Sequence, residues 1–357
     1  MKNLKKYFYK KKIIITGHTG FKGSWLTMWL KTYGAKIYGI SKDIPSNPSH
    51  FKASKIGTNI NSYWVDITNK KKVQKIFENI NPDYVFHLAA QSLVKRSYED
   101  PCLTWNTNLI GTQNILESLR KLNKKCTVII ITSDKCYLNR EIKKGYVETD
   151  ILGGHDPYSA SKASAELLIN SYIKSFFKSG KIKISSVRAG NVIGGGDWSK
   201  NRLIPDCVKK WSQNKVAIIR SPKSTRPWQH VLEVVYGYIL LATKLSINSS
   251  IHGQSFNFGP SKRNNCNVNS LLKIIKKFWY NVEWKIKKES SFKESNLLML
   301  NSSKVKKKIN WKSILKFEET ILMTVNWYKN FYFEKKNLSK FTFKQIEEYK
   351  KIILKRI

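Results

Sequence analysis

Tyr158 and Lys162 stand four residues apart in Tyr-Ser-Ala-Ser-Lys, a spacing that puts both side chains on one face of a helix. An ammonium beside a phenol favours the phenolate, which makes tyrosine a usable base near neutral pH. Upstream, Thr132-Ser133-Asp134-Lys135-Cys136-Tyr137 sets a hydroxyl, a carboxyl and an amine side by side at the end of an apolar run. Such a trio suits proton transfer in both directions. A third group, Gly17-His18-Thr19-Gly20-Phe21-Lys22-Gly23, has the spacing G-x-x-G-x-x-G. There Gly17 allows a tight turn, Gly20 lets the backbone approach a pyrophosphate, and Gly23 permits close helix–strand packing. The helix that follows offers N–H groups and partial positive charge to the phosphates.

These groups must be held by the elements around them. Short β-branched runs predict strands at 12–16, 36–40, 62–65, 83–88, 127–132 and 182–187, and helical periodicity falls at 22–33, 69–79, 102–123 and 157–178. Asp100-Pro101 and Asp156-Pro157 mark helix starts, each with proline in the first turn. The alternation implies an α/β fold: a Rossmann-type, doubly wound parallel sheet with helices on both faces and a smaller mixed α/β domain. Beyond 188 the pattern loosens, then predicts a helix near 230–245 and a strand near 254–258. The expected division is a dinucleotide-binding domain over 1–188 and 228–258, with a substrate domain from 189–227 and 259–357. The glycine turn then follows the first strand, and the Ser133 group closes the fifth. Both lie at carboxyl ends of strands, where open α/β sheets bind ligands.

A dinucleotide in that turn calls for an acid about 20 residues on, to grip the adenosine ribose. Asp43 stands at about that distance, while its neighbour Lys42 leaves NADP open. Asp66 and Ile67 are candidates for the adenine edge. His87-Leu88-Ala89-Ala90-Gln91 closes the fourth strand, where small residues let a cofactor lie against the backbone. His87 itself ends an apolar strand and reads as structural, and Trp25 and Trp29, at helical spacing, read as core. Further on, Asn191 in Arg188-Ala-Gly-Asn191 is placed to bond a sugar diphosphate or align a nicotinamide. Gly194-Gly195-Gly196 is expected to form a flexible loop over the ligand. Arg202, Arg220 and Arg226, with Arg188 less central, supply guanidinium groups suited to bidentate phosphate binding.

Seven segments, GHTGFKGSWL (17–26), HLAAQSLVKRSYEDP (87–101), TSDKCY (132–137), YSASK (158–162), RAGNVIGGGDW (188–198), RLIPD (202–206) and STRPWQHVLE (224–233), together resemble the extended short-chain dehydrogenase/reductases. Within these the chain is similar to the nucleotide-sugar 4,6-dehydratases, nearest to those acting on CDP-D-glucose. The resemblance runs in order from residue 17 to beyond 230. It implies oxidation of the sugar at C4, loss of water across C5–C6, and return of the hydride to C6, with NAD regenerated each cycle. Tyr158 would take the C4 hydroxyl proton, with Lys162 lowering its pKa and binding the nicotinamide ribose, and Ser133 would bond the C4 oxygen. Asp134 would protonate the leaving C6 hydroxyl, and Lys135 would take the C5 proton if its pKa is depressed. Relatives usually carry Asp-Glu where this chain has Asp134-Lys135, which leaves the acid/base division between the two open. The resemblance also implies NAD contacts from Gly17, His18, Gly20, Phe21, Lys22, Gly23, Asp43, Asp66, Ile67, Leu88, Ala89, Ala90, Gln91, Tyr158 and Lys162. Substrate contacts would come from Asn191, Arg202, Leu203, Arg220, Arg226, Gln229 and His230. A homodimer or a tetramer, packing through helices 102–123 and 157–178, and a place early in deoxysugar synthesis for O-antigen and other surface polysaccharides, belong to the same expectation. The alternatives are another nucleotide-sugar 4,6-dehydratase or a 4-epimerase.

Composition sets outer bounds. The 357 residues carry 65 Lys+Arg against 24 Asp+Glu, a net charge of +41. Such an excess suits nucleic acid or an anionic membrane. The lysine-rich stretches, however, are scattered at 4–12, 70–75, 121–125, 304–308 and 335–355, without the clustering that a nucleic-acid face requires. The apolar fraction of 41% excludes a disordered chain. Five widely spaced cysteines suit a reducing cytoplasm and offer no zinc spacing, so no metal is expected. No apolar stretch approaches the ~20 residues that cross a bilayer.

Overall fold

The computed structural model describes residues 4–142, 144–190, 192–261, 264–287, 298–335 and 337–357. Strands β1 (Lys12–Thr16), β2 (Lys36–Ser41), β3 (Asn61–Trp64), β4 (Tyr84–His87), β5 (Cys126–Ile131) and β6 (Ile182–Ala189) join the strand Ser255–Phe258 in one seven-stranded sheet. Every pairing in it is parallel, in the order Ser255–Phe258, β6, β5, β4, β1, β2, β3. The strand order reverses between β1 and β4, which opens the crevice where such sheets take ligands.

Burial on both faces explains the continuous apolar runs. Ile13 and Ile15 of β1 pack into one core with Trp25, Trp29 and Leu232, from helices Phe21–Thr32 and Val231–Ile247. Ile14 points the other way, into a second core with Val73, Leu116 and Ile169 from helices Lys70–Ile80, Gly111–Arg120 and Pro157–Phe176. The first core runs on without a break to Trp211, Leu271, Trp327 and Tyr349. Helix Leu338–Arg356 thereby reaches back across the chain, setting Lys350 Nζ 4.8 Å from the centre of the Tyr33 ring. Among the described residues, no helix is long and apolar enough to cross a membrane, and no disulfide forms.

Two expectations are corrected. The helix over 102–123 is three pieces: Pro101–Trp105, a π-helical turn Asn106–Ile110, and Gly111–Arg120. The wide turn brings Asn108 inward, where its amide bonds Gln91 N at 2.9 Å, Gln91 O at 3.0 Å and Ser161 Oγ at 2.9 Å. Gly194-Gly195-Gly196 is not a flexible loop, because all three glycines are buried. A side chain on Gly195 would run into the Trp327 ring, Gly196 (φ +84°) lies against His50, and the Gly195 carbonyl accepts Trp25 Nε1 at 2.9 Å. Glycine serves there for close packing.

Four histidines are buried in this framework, and desolvation pulls His18 down to about 4 and His50, His87 and His230 to about 3. The unfolded chain takes up these protons near pH 6.5, the folded chain only near 3–4. Their contribution to stability is therefore complete above about pH 6.5 and lost as pH falls through 4 and 3. Urea unfolding at pH 7, 6, 5 and 4 is expected to show a falling midpoint, and a midpoint that stays level would contradict neutral imidazoles.

Candidate active site

The end of β5 delivers Thr132 and Ser133 to the sheet's carboxyl edge. Ser133 is extended, and its Oγ accepts Lys135 N at 3.2 Å, capping the 3-10 turn Asp134–Cys136. The same hydroxyl donates to Asp134 Oδ1 at 3.0 Å. Asp134 is buried, and desolvation pushes its carboxyl up against the pull of Lys135, Ser133 and Lys22. Opposite, a Cβ on Gly190 would stand 3.0 Å from Asp134 Oδ2, so the end of β6 leaves just the room the carboxylate needs.

Tyr158 comes in on the first turn of helix Pro157–Phe176. Asp156 fixes that start by accepting Ser159 N at 2.9 Å, with proline in the first turn. Burial pushes the Tyr158 phenol up to about 12, and Ser133 and Arg202 are the groups that most oppose it. Lys162 is itself pulled down to about 8 by desolvation. Arg202 pairs with Asp197 Oδ2 at 3.0 Å. Lys22 is drawn down to about 8 by burial, then by Arg202 and Lys162, with Asp134 and Asp197 holding it up. The lysine of the glycine turn thus belongs to the same charged cluster as Asp134, Lys162 and Arg202.

The turn itself is built tightly. Gly17 has φ +73°, donates to Ile40 O at 2.8 Å, and would set a Cβ 2.8 Å from Ala89 N. A Cβ on Gly23 would run into the Gly17 carbonyl. Helix Phe21–Thr32 begins at Gly20 with no side chain capping its N–H groups. Uncapped amides, a backbone cradle that any Cβ would fill, and nearby Lys22 and Arg202 fit the diphosphate of a dinucleotide. The His18 ring stands apart from that role, locked between Ser41 Oγ (2.9 Å) and Ser62 Oγ (3.0 Å), with only the backbone of Gly39 beneath it.

Along the crevice, Asp43 is exposed and its carbonyl accepts Thr19 Oγ1 at 2.7 Å. Asp66 Oδ1 accepts both Thr68 N and Thr68 Oγ1 at 2.9 Å, and Lys42 Nζ lies 3.7 Å from Oδ2. The Ile67 carbonyl accepts Asn114 Nδ2 at 2.9 Å, while its side chain fills the space over Gly111. Leu88 N and Ala89 N donate to Thr16 O and Oγ1 at 3.1 and 3.2 Å. The Gln91 amide is committed within the protein, accepting Leu93 N at 2.6 Å and donating to Thr104 Oγ1 at 2.9 Å. It shapes the bed at Ala89 and Ala90 and does not present its amide to a ligand.

On the substrate side, Asn191 lies outside the described residues. Arg188 is corrected: it is buried and paired with Glu166 at 2.7 Å, so its charge is already answered within the protein. Leu203 opens helix Leu203–Trp211, half-buried. Arg220 is exposed beside an open cavity of about 570 Å³ with Lys223, Ser224 and Ile286, and none of the catalytic residues lines it. Arg226 is half-buried on the short strand Thr225–Pro227. Gln229 and His230 are fully buried, and among the described residues neither Gln229 amide atom nor His230 Nε2 finds a partner. The sequence reading missed Glu166, Asp197 and Tyr137. Glu166 was findable as the third member of an i, i+4, i+8 series with Tyr158 and Lys162.

A glycine turn at the β1/β4 reversal with a buried Tyr-x-x-x-Lys helix beside it defines an extended short-chain dehydrogenase/reductase. The model of the GDP-mannose 4,6 dehydratase family matches residues 14–324, and the chain belongs to that family. It is 40% identical over 331 residues to CDP-glucose 4,6-dehydratase of Salmonella typhimurium, covering 91% of this chain and 92% of that protein. Among solved structures it is similar to a Thermotoga maritima UDP-glucose 4-epimerase with UDP-glucose, with a TM-score of 0.76 and 25% identity over 91% of this chain and 99% of that one. An epimerase of Methanothermobacter thermautotrophicus shares the fold at TM-score 0.81 and 22% identity, over 94% of this chain and 97% of that one.

Gly23→Ala tests the cradle. A Cβ there would push the Gly17 carbonyl out of the turn, so dinucleotide affinity measured by calorimetry is expected to fall by roughly tenfold or more. Unchanged affinity would show that the turn does not hold the phosphates.

Proposed function

We propose that the chain converts CDP-D-glucose to CDP-4-dehydro-6-deoxy-D-glucose, as an NAD-dependent hydro-lyase. The observation that carries this is the Ser133-Asp134-Lys135 turn set against Tyr158 at the end of β5. It gives one fold both an alcohol-oxidation pair and a separate acid/base pair. The 40% identity to a CDP-glucose 4,6-dehydratase supports the nucleotide. NAD is favoured over NADP because Lys42 lies toward Asp66, leaving Asp43 exposed for a ribose. When bound, NAD supplies the acceptor for the C4 hydride and the donor that returns it to C6.

The protein's own groups do the rest. Tyr158 takes the C4 hydroxyl proton, with Ser133 donating to the same oxygen, and Lys162 holds the nicotinamide ribose beside them. Burial holds the Tyr158 phenol up, at about 12, and positive charge brought beside it favours the phenolate. Asp134, pushed up by burial, keeps a proton to hand to the leaving C6 hydroxyl, and Lys135 takes the C5 proton made acidic by the C4 ketone. Gly17, Gly20, Phe21, Lys22 and Gly23 cradle the cofactor diphosphate. Arg202, Arg220 and Arg226 take that of the substrate, with Gln229 and His230 beneath it. The division into 1–188 with 228–258 and 189–227 with 259–357 is part of this reading. So is a homodimer through the helices around Ile110, Leu167 and Phe176, which are exposed apolar residues. Cytoplasmic location and a supply of deoxysugar precursors complete it.

CDP-D-glucose carrying deuterium at C4 is expected to yield a 4-keto product with the label at C6 and no net NADH. Recovery of only the C4 epimer, or preference for UDP-, GDP- or dTDP-glucose in parallel assays, would overturn the reading. Asp134→Asn, Lys135→Ala and Tyr158→Phe are each expected to lower turnover about 10²–10⁴-fold.

A further inference from the structure

One buried ion pair grips both ends of the turn that carries Asp134 and Lys135. At its near end, Thr132 Oγ1 donates to Glu166 Oε1 at 2.5 Å. At its far end, Arg188 Nη1 donates to the Tyr137 hydroxyl at 2.8 Å and to Glu148 O at 3.0 Å. Glu166 and Arg188 meet at 2.7 Å, with side chains 3% and 4% exposed. Ser186 Oγ and Ser255 Oγ complete the carboxylate's partners at 2.9 and 3.2 Å. The Tyr137 hydroxyl passes the contact on to Asn257 Oδ1 at 2.8 Å. Helix Pro157–Phe176, β5, β6 and the strand Ser255–Phe258 are thus locked to one another at this point.

A buried pair of this kind contributes little net stability, because desolvation offsets the attraction. What it fixes is geometry. Between the two tethers lie only Ser133, Asp134, Lys135 and Cys136, and the helix bearing Glu166 also bears Tyr158 and Lys162. We propose that Glu166 and Arg188 are positioning residues for the elimination step, holding the Ser133–Cys136 turn at a set distance from the Tyr158–Lys162 helix through Thr132 and Tyr137. Neither takes part in the proposed proton transfers, so their effect is transmitted through two hydroxyls. This rests on the proposed dehydration: a wild-type protein inert toward every nucleotide-glucose would fail that reading, whereas the present inference is judged on variants of an active wild type.

Removing the hydroxyls leaves the ion pair itself intact. Thr132→Val and Tyr137→Phe are expected to fold, by near-ultraviolet circular dichroism, and to lose at least tenfold in kcat with KM for CDP-glucose within twofold. Oxidation at C4, whose Tyr158 and Lys162 stand on the helix, slows less than elimination, so enzyme-bound reduced nicotinamide absorbing at 340 nm should accumulate in the steady state. Thr132→Ser, which keeps the hydroxyl, is expected to restore kcat. Wild-type kcat in folded Thr132→Val and Tyr137→Phe would overturn the inference, as would a loss without accumulation at 340 nm. Should Thr132→Val not fold, Tyr137→Phe carries the same test alone.

Discussion

Removal of charge from water at the carboxyl edge of the sheet is the constraint on which this site depends. Tyr158, Lys162, Asp134, Glu166 and Arg188 are all buried there, and Lys22 is half-buried. Desolvation is the largest influence on each of them, and what distinguishes them is whether a partner answers it. Glu166 has Arg188 and three hydroxyls, and ends below the ordinary carboxylate range despite its burial. Asp134 has one hydroxyl and more distant ammonium groups, and ends above it. Two buried carboxylates in one molecule are thereby pushed in opposite directions, the kind of separation on which acid/base assignments rest.

The legible parts of the sequence were those whose physics is local. The glycine turn, the Asp-Pro helix starts and the Tyr-x-x-x-Lys pair each depend on residues within a few positions of one another. The strands were legible for a related reason: a sheet buried on both faces writes itself as short apolar runs. Helix Pro157–Phe176 was foreseen to within two residues at its end because cap and periodicity agree.

What was not legible depended on partners far away in the chain. Arg188 has the chemistry of a phosphate ligand, and only Glu166, 22 positions back, shows that its charge is already answered. Gln91 has an amide at the right place, but Thr104 and Leu93 take it. The triple glycine at 194–196 has the composition of a loop. The Trp327 ring that fills the space over Gly195 comes from a helix more than a hundred residues later. The π turn at Asn106–Ile110 carries no compositional mark, since its cause is the inward reach of Asn108 to Gln91 and Ser161. In each case a side chain with surplus bonding capacity looked available, and the fold had assigned it.

The same argument bears on the net charge of +41. A cation acts chemically only where water cannot screen it, and most lysines here stand on solvated faces, as along Lys70–Lys72 and Lys306–Lys308. Lys162 and Arg188 are buried, Lys22 and Arg202 are partly so, and three of these four gather around Asp134 and Tyr158. The fourth, Arg188, is neutralised by Glu166 beneath the turn. Lys22, Lys162 and the Arg202–Asp197 pair therefore stand where a dinucleotide and a nucleotide sugar would bring their phosphates, while the Arg188–Glu166 pair ties the two ends of the turn. The surface excess raises the potential seen by an approaching anion, while the buried members determine where it comes to rest.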